Sequence, residues 1–389
     1  MRASFDPLGA SPAAWEAFAV ERNLPRYRGR QIFDALHRAG RRDYAAMTEL
    51  PAALRASLAE EAPIRFPEIV RREPSADGSV KYGLRLEDGA LIEAVYMPGE
   101  ASQAQVNEFT DARAEAKSQV SGPRPQAREK STPPTEKFTV CLSSQTGCAV
   151  DCVFCVTGRL GGGRSLTAGD ILGQLYAVLD DAGRTAEGLR IVFMGMGEPF
   201  LNPDGVLPAL EVLFEFLPPR RVTVSTSGIT PAFARFAELP RRPNLAVSLN
   251  AADAATREKL MPITKTYPLP GLLSAMRAWP LESRRSILVE YVLIAGVNDG
   301  EEDAKRLARL LSGMPVKVNL IPLNEDPAYL PDLKRPEEAA IDRFAGVLAH
   351  VGLRITVRRS KGRDTLAGCG QLKGRTVDPR RRPANHAGR

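Results

Sequence analysis

The sequence predicts an α/β protein whose parallel strands wind, with helices between them, into a full or partial (β/α) barrel. Two observations carry this expectation. Seven short apolar runs, FTVCLS, LRIVFMG, RRVTVSTSG, NLAVSLNA, SILVEYVLIAG, VKVNLIPLN and LRITVRRS, follow one another between residues 138 and 360. Each of the first six is followed by a helix-length segment: AGDILGQLYAVLDDAG, PDGVLPALEVLFEFL, TPAFARFAEL, the stretch after Thr256, EEDAKRLARLLSGM and PEEAAIDRFAGVLAHVG. Near-continuous apolar strands are buried on both faces, and crossovers of this length make neighbouring strands parallel. Right-handed crossovers wrap the series, leaving the residues just past each strand end to line one rim, where the chemistry is expected.

Upstream, residues 11–62 have helical periodicity, with Ile32, Phe33 and Leu36 on one face and Pro51 and Pro63 as punctuation. The period then changes. KYGLRL and ALIEAVYMP read as two strands joined at Asp88–Gly89, a hairpin signal. Residues 100–136 are rich in Ala, Gln, Ser, Lys and Pro and bury too little apolar surface to offset chain entropy. The expected organisation is a helical accessory module over 1–64, a β-hairpin linker over 65–99 and a disordered insertion over 100–136. The core barrel follows over 137–375, with a basic flexible tail over 376–389.

With 389 residues, 43% of them hydrophobic, the chain can bury an ordinary core. Neither a secretory h-region nor a run approaching the roughly 18–20 apolar residues of a membrane span is found, so a cytoplasmic protein without membrane contact is expected. Five cysteines, an odd and clustered set, argue against a secreted disulfide framework and for thiolates kept for metal or catalysis. Fifty-three Lys and Arg against forty-six Asp and Glu leave +7. The basic residues bunch at 26–31, 38–42, 218–222, 358–363 and 374–382, which leans towards a polyanion such as nucleic acid.

Four of the five cysteines lie in CLSSQTGCAVDCVFC, just past the first barrel strand. Cys148, Cys152 and Cys155 are spaced C-x3-C-x2-C, one thiolate short of a closed zinc site or a fully ligated iron–sulfur cluster. One metal position is therefore left open. A structural zinc site with a remote fourth ligand is the alternative, but none of the three histidines, His37, His350 and His386, adjoins the array.

The spacing, with Phe154 before the last cysteine, resembles the radical S-adenosylmethionine (SAM) superfamily, and GMGEP at 195–199 resembles that superfamily's glycine-rich segment at the second strand end. CLSSQTGCAVDCVFC, FMGMGEPFLN, RVTVSTSG, LAVSLNA, EYVLIAGVND, NLIPLN and AGCGQL also occur in the order found in the RlmN family, whose members methylate C2 of adenosine in RNA. The resemblance spans about residues 15–375 outside the insertion. It implies a partial (β/α)6-type radical SAM barrel with an N-terminal RNA-binding module, a [4Fe-4S] cluster on Cys148, Cys152 and Cys155, and contacts to SAM from Gly197, Glu198, Ser225, Ser248, Leu249, Asn250 and Asn324. Many relatives read SLHA where this chain reads SLNA, so Asn250 is expected to bind through its backbone.

C2 of adenine lies between two ring nitrogens and has no lone pair with which to attack a methyl sulfonium. The resemblance implies a way round this. Cys369, flanked by Gly368 and Gly370, takes a methyl group from one SAM. A second SAM, cleaved reductively, yields a radical that activates the S-methyl group for addition to C2. Glu93 then accepts the C2 proton, and Cys141 attacks the Cys369 sulfur, forming a transient disulfide that releases the product. The implied substrates are 23S rRNA and tRNA, the implied electron donor is of the flavodoxin type, and a monomer is expected. A C8-methylating relative and a non-catalytic RNA-binding iron–sulfur protein are the alternative readings.

Overall fold

A computed structural model describes residues 5–99, 136–358, 361–362 and 364–374, and the backbone of 106–108. Three helices open the chain: α1 (Pro12–Glu21), α2 (Tyr27–His37) and α3 (Ala52–Glu61). The Ser11 side chain caps α1 by accepting from the Ala14 N–H, and Pro12 occupies the first turn, where its missing N–H costs nothing. Ile32, Phe33 and Leu36 are buried against Trp15 and Phe18, as the helical period requires. Close approach of α1 and α2 depends on Gly29, where a Cβ would stand 2.3 Å from the Trp15 carbonyl oxygen.

This module is stitched to the barrel. Arg42 pairs with Asp180 at the end of α5 (Ala168–Asp181), while Arg30 and Arg38 both reach Glu215 just past α6 (Pro203–Phe214). Much of the basic character at 26–31 and 38–42 is thereby spent on internal ion pairs, Arg26 with Glu16 included.

One sheet runs through the molecule. It begins with β1 (Glu68–Pro74), β2 (Val80–Arg85) and β3 (Leu91–Pro98), all antiparallel, then passes from β3 to β5 (Phe138–Cys141), again antiparallel. From there seven strands run parallel: β5, β6 (Leu189–Phe193), β7 (Val222–Thr226), β8 (Asn244–Ser248), β9 (Ile287–Leu293), β10 (Val316–Pro322) and β11 (Arg354–Arg358). The strand β4 (Val106–Glu108) pairs antiparallel with the far side of β11. Because β1 and β4 end the sheet without pairing with each other, the barrel is partial.

Helices cover the outside: α4 (Val156–Arg159) and α5 after β5, α6 after β6, and α7 (Ala232–Ala237) after β7. Next come α8 (Ala254–Leu260) and α9 (Leu269–Ala278), then α10 (Glu301–Leu311) and α11 (Glu338–His350). Helix α5 begins with a capping box in which Thr167 and Asp170 exchange hydrogen bonds. Strand side chains alternate as pleating demands. Ile191, Val224, Val247, Val289 and Val318 point outward to the helices and are buried, each worth about 1.5–3 kcal/mol. The inner face is polar: Ser248, Glu290, Asn319 and Thr356 lie in one lateral row across β8–β11.

Two strands, β1 and β4, carry no signal in the sequence; every residue of EIVRREP is exposed or half-buried, so β1 has no apolar alternation. The expected insertion lies outside the described residues except for Val106–Glu108, which are a strand, and Glu136. The tail at 376–389 lies outside them too. Pro98 stands opposite Phe138, so the two ends of the segment lie side by side, and β4, on the far side of β11, is the strand described between them. Replacing 100–136 by a tight turn should therefore keep cluster content and methylation near the parent level, measured by iron analysis and RNA methyl incorporation. Loss of methylation with full cluster content would show that the segment contributes to catalysis.

Candidate active site at the barrel mouth

A cavity opens where the parallel strands end. Cys148, Cys152 and Cys155 form one wall, and Gly197 and Glu198 continue it. Ser225, Ser227, Ser248, Asn250 and Glu290 supply the strand-end side chains, and Asn324 and Cys369 close it. Five strand ends and a C-terminal segment thus converge on one volume.

The three-cysteine loop is fixed by backbone bonds: Cys148 N–H to Gly161 O at 2.9 Å, Val153 N–H to Leu260 O at 3.0 Å and Cys155 N–H to Cys152 O at 3.1 Å. Phe154 packs with Leu260, Met261, Ile294 and Leu323, which explains an aromatic at this position. Burial raises all three thiols, and the field of Cys155 raises those of Cys148 and Cys152 further. No three His, Cys, Asp or Glu side chains among the described residues converge where a single ion could sit. Thiols that feel one another's charge yet stand apart suit a polynuclear cluster, in which each ligates its own iron, better than one zinc ion.

Gly197 has φ +94°, and a Cβ there would lie 2.5 Å from the Gln145 Cβ, so only glycine lets the chain pass under the cavity. Glu198 is buried and fully bonded: one oxygen accepts from the Phe200 N–H at 2.9 Å, the other from the N–H and hydroxyl of Ser227, both at 2.7 Å. Burial raises its pKa, and the Ser227 bonds oppose the rise. Asn250 adopts φ +58°, a region that asparagine tolerates better than most residues. Its side-chain oxygen accepts from the Val292 N–H at 2.9 Å and its carbonyl from Asn298 at 2.7 Å. The Asn250 carbonyl is thus engaged within the protein.

Leu249 is buried and absent from the cavity wall. Its N–H donates to Glu290 O and its carbonyl accepts from the Arg257 Nε at 3.1 Å. Of the expected SAM contacts, the structure therefore gathers Gly197, Glu198, Ser225, Ser248, Asn250 and Asn324, but not the Leu249 side chain.

Cys369 is carried by a segment docked on the cluster loop: Val156 N–H donates to Gly370 O at 2.7 Å, the Thr157 hydroxyl to Leu372 O at 2.6 Å, and Asn324 Nδ2 to Cys369 O at 3.1 Å. The cysteine is open to the cavity, yet protein surrounds it on the other sides, and that desolvation pushes its thiol up to about 11 against the opposing charge of Arg358. Cys141, buried at the end of β5, is pushed up to about 12 by burial and then by the Cys369 charge. Both are free thiols. Glu93, in contrast, is fully buried outside the cavity wall, separated from it by the residues following Cys369.

Three side chains had no sequence signal. Ser227 holds Glu198, and its position two residues after Ser225, on the same face of the chain, was the available hint. Arg257 is buried and bonds the carbonyls of Ser227 at 2.6 Å, Leu249 at 3.1 Å and Ser248 at 3.3 Å, with the Thr264 hydroxyl at 2.7 Å. Burial lowers it to about 10, so it stays charged at neutral pH. Glu290 has one oxygen on Asn319 Nδ2 at 2.7 Å and the other unpartnered; burial raises its pKa.

Residues 142–310 match the Radical SAM superfamily model, and residues 6–64 match the model of the ribosomal RNA large subunit methyltransferase N-terminal domain. A solved radical SAM methyltransferase from Sphaerobacter thermophilus is 38% identical and superposes with a TM-score of 0.79 over 95% of this chain and 100% of that one. The dual-specificity RNA methyltransferase RlmN of Sorangium cellulosum is 43% identical, the match covering 94% of this chain and 95% of the relative. The probable RlmN of Koribacter versatilis is 41% identical over 90% and 96%. The chain belongs to the RlmN family. The partial barrel is therefore a radical SAM barrel, and the cofactors of this RlmN-family enzyme are a [4Fe-4S] cluster and SAM, which the three spaced thiols and the adjoining cavity fit.

Gly197→Ala should strain the chain by about 1–3 kcal/mol and weaken SAM binding roughly tenfold or more. Equilibrium dialysis checks this, with iron content unchanged.

Proposed function

We propose that this enzyme methylates C2 of adenosine in 23S rRNA and in tRNA; an RNA substrate is supported by its relatives, dual-specificity RNA methyltransferases, and by the match to a ribosomal RNA large subunit methyltransferase domain. The observation that carries the reading is a thiol outside the three-cysteine array, Cys369, on the wall of the cavity those three line, with a second, Cys141, buried at the end of β5. An RNA-binding protein needs neither.

Cys148, Cys152 and Cys155 hold the cluster, which when bound supplies the electron for reductive cleavage of SAM. Gly197, Glu198, Ser225, Ser248, Asn250 and Asn324 orient SAM in the cavity. Cys369 is the methyl carrier. Its neutral resting thiol must shed a proton before its sulfur can bond to the SAM methyl carbon, the carbon–sulfonium bond breaking and S-adenosylhomocysteine leaving, and Arg358 is the cation whose field favours the loss of that proton. Carbon held on this sulfur is delivered to C2, leaving RNA joined to the protein. Glu93 accepts the C2 proton, and Cys141 attacks the Cys369 sulfur to release methyladenosine. Desolvation keeps Cys141 protonated and unreactive until the adduct stands beside it.

In the described state both Glu93 oxygens are engaged. Entry of an adenine therefore moves the 371–373 segment off Glu93. Residues 1–64 grip folded RNA by its phosphates, since a base taken out of its stack must be paid for by contacts elsewhere. The enzyme works as a cytoplasmic monomer with a flavodoxin-type donor; its five unpaired cysteines suit a reducing compartment.

Anaerobic methylation of 23S rRNA and tRNA, with nucleoside mass spectrometry, should give C2-methyladenosine; C8-methyladenosine as the sole product overturns the reading. Cys141→Ala should retain the cluster and trap RNA covalently on Cys369, seen as a band shift on denaturing gels. Normal turnover by that variant would make Cys141 a core residue only.

A further inference from the structure

Glu93 belongs to a row that crosses three strands. Arg71 on β1 stands opposite Gly83 on β2, which stands opposite Glu93 on β3, so all three positions share one face of the sheet. Gly83 has no side chain, and Arg71 uses the gap. A Cβ on Gly83 would lie 3.0 Å from the Arg71 Cβ, 3.4 Å from its Nε and 3.7 Å from its Nη2, so the arginine lies across β2. Its Nη2 donates to Glu93 Oε1.

Glu93 is 0% exposed, and a carboxylate in that setting needs a partner. Arg71 takes one oxygen; the other accepts the Lys373 N–H at 2.8 Å. The arginine is itself braced. Its Nε pairs with Glu73 at 3.1 Å, Glu73 pairs with Lys81 at 2.7 Å, and Lys81 donates to the Thr365 carbonyl at 2.6 Å. Two residues along β3 on the same face, Val95 stands opposite Cys141. The row therefore leads from the outer edge of the hairpin to the resolving thiol.

We propose that Arg71 is a positioning residue for proton removal from the RNA adduct, acting through Glu93 in the slot that Gly83 leaves. This rests on the reading of Glu93 as the proton acceptor. When RNA displaces the Lys373 N–H, Oε2 becomes the free oxygen, and Arg71 keeps Oε1 bonded and the carboxylate plane fixed. The C2–H bond then breaks, its proton passing to Oε2 and its electron pair remaining on the nucleobase.

Arg71→Gln should lower kcat about 10- to 100-fold, within the range that losing an orienting group costs. KM for RNA should hold within about twofold, since the step affected follows binding. RNA joined to Cys369 should accumulate, a signal that a misfolded variant cannot give. Arg71→Lys should recover part of the release rate, and Gly83→Val, which evicts the arginine without altering it, should reproduce Arg71→Gln. Glu93→Gln runs alongside. A stalled Glu93→Gln with normal release by Arg71→Gln and Gly83→Val overturns the role of Arg71 alone, whereas normal turnover by Glu93→Gln overturns the Glu93 reading and the proposal with it. Should Arg71→Gln fail to load a cluster, the Arg71→Lys variant decides: a block before adduct formation, with Cys369 S-methylated, also overturns the proposal.

Discussion

Alternation of side chains along pleated strands, kept in register from β2 to β11, decides which residues can meet at the barrel mouth. A slip of one residue anywhere in the series would send a functional side chain into the helical layer. Outward positions carry Ile, Val and Leu and fix the register by burial; inward positions are then free to carry polar groups. Glu93, Cys141, Ser225, Ser248 and Glu290 all occupy inward positions, on strands far apart in the chain. The hydrophobic layer thus specifies the site without contributing an atom to its chemistry.

Polar groups gathered this way must be satisfied in a region poor in water. Arg257 shows how. One guanidinium, buried beneath the rim, donates to three carbonyls at the ends of two strands. Its donors form a planar fork, which suits several carbonyls at fixed angles better than an ammonium would. Glu198 is held with similar completeness by Ser227 and Phe200. Such bonds leave the strand ends rigid, which a site that must align two reactants on one sulfur requires.

Features that depend on local spacing were legible in the sequence. The seven parallel strands, the hairpin at Asp88–Gly89, the buried face of α2 and the three-cysteine loop all appear as periods or short motifs. Features that depend on lateral pairing were not. Nothing in EIVRREP indicates a strand, because an edge strand with both faces half exposed has no apolar alternation. Arg257, Glu290 and Arg71 are charged residues in ordinary surroundings until neighbouring strands are laid beside them. Arginines at 26–42 read as one basic surface, yet Arg30, Arg38 and Arg42 have acidic partners 138 to 185 positions away. Family motifs supplied Glu93, but not the neighbours that hold it.

Cys369 and the Lys373 N–H that occupies Glu93 lie four positions apart on the same docked segment. On the proposed reading of both residues, the sulfur that carries the methyl group and the peptide group that covers the base share one short stretch of backbone, so a displacement that frees Glu93 would also reposition Cys369.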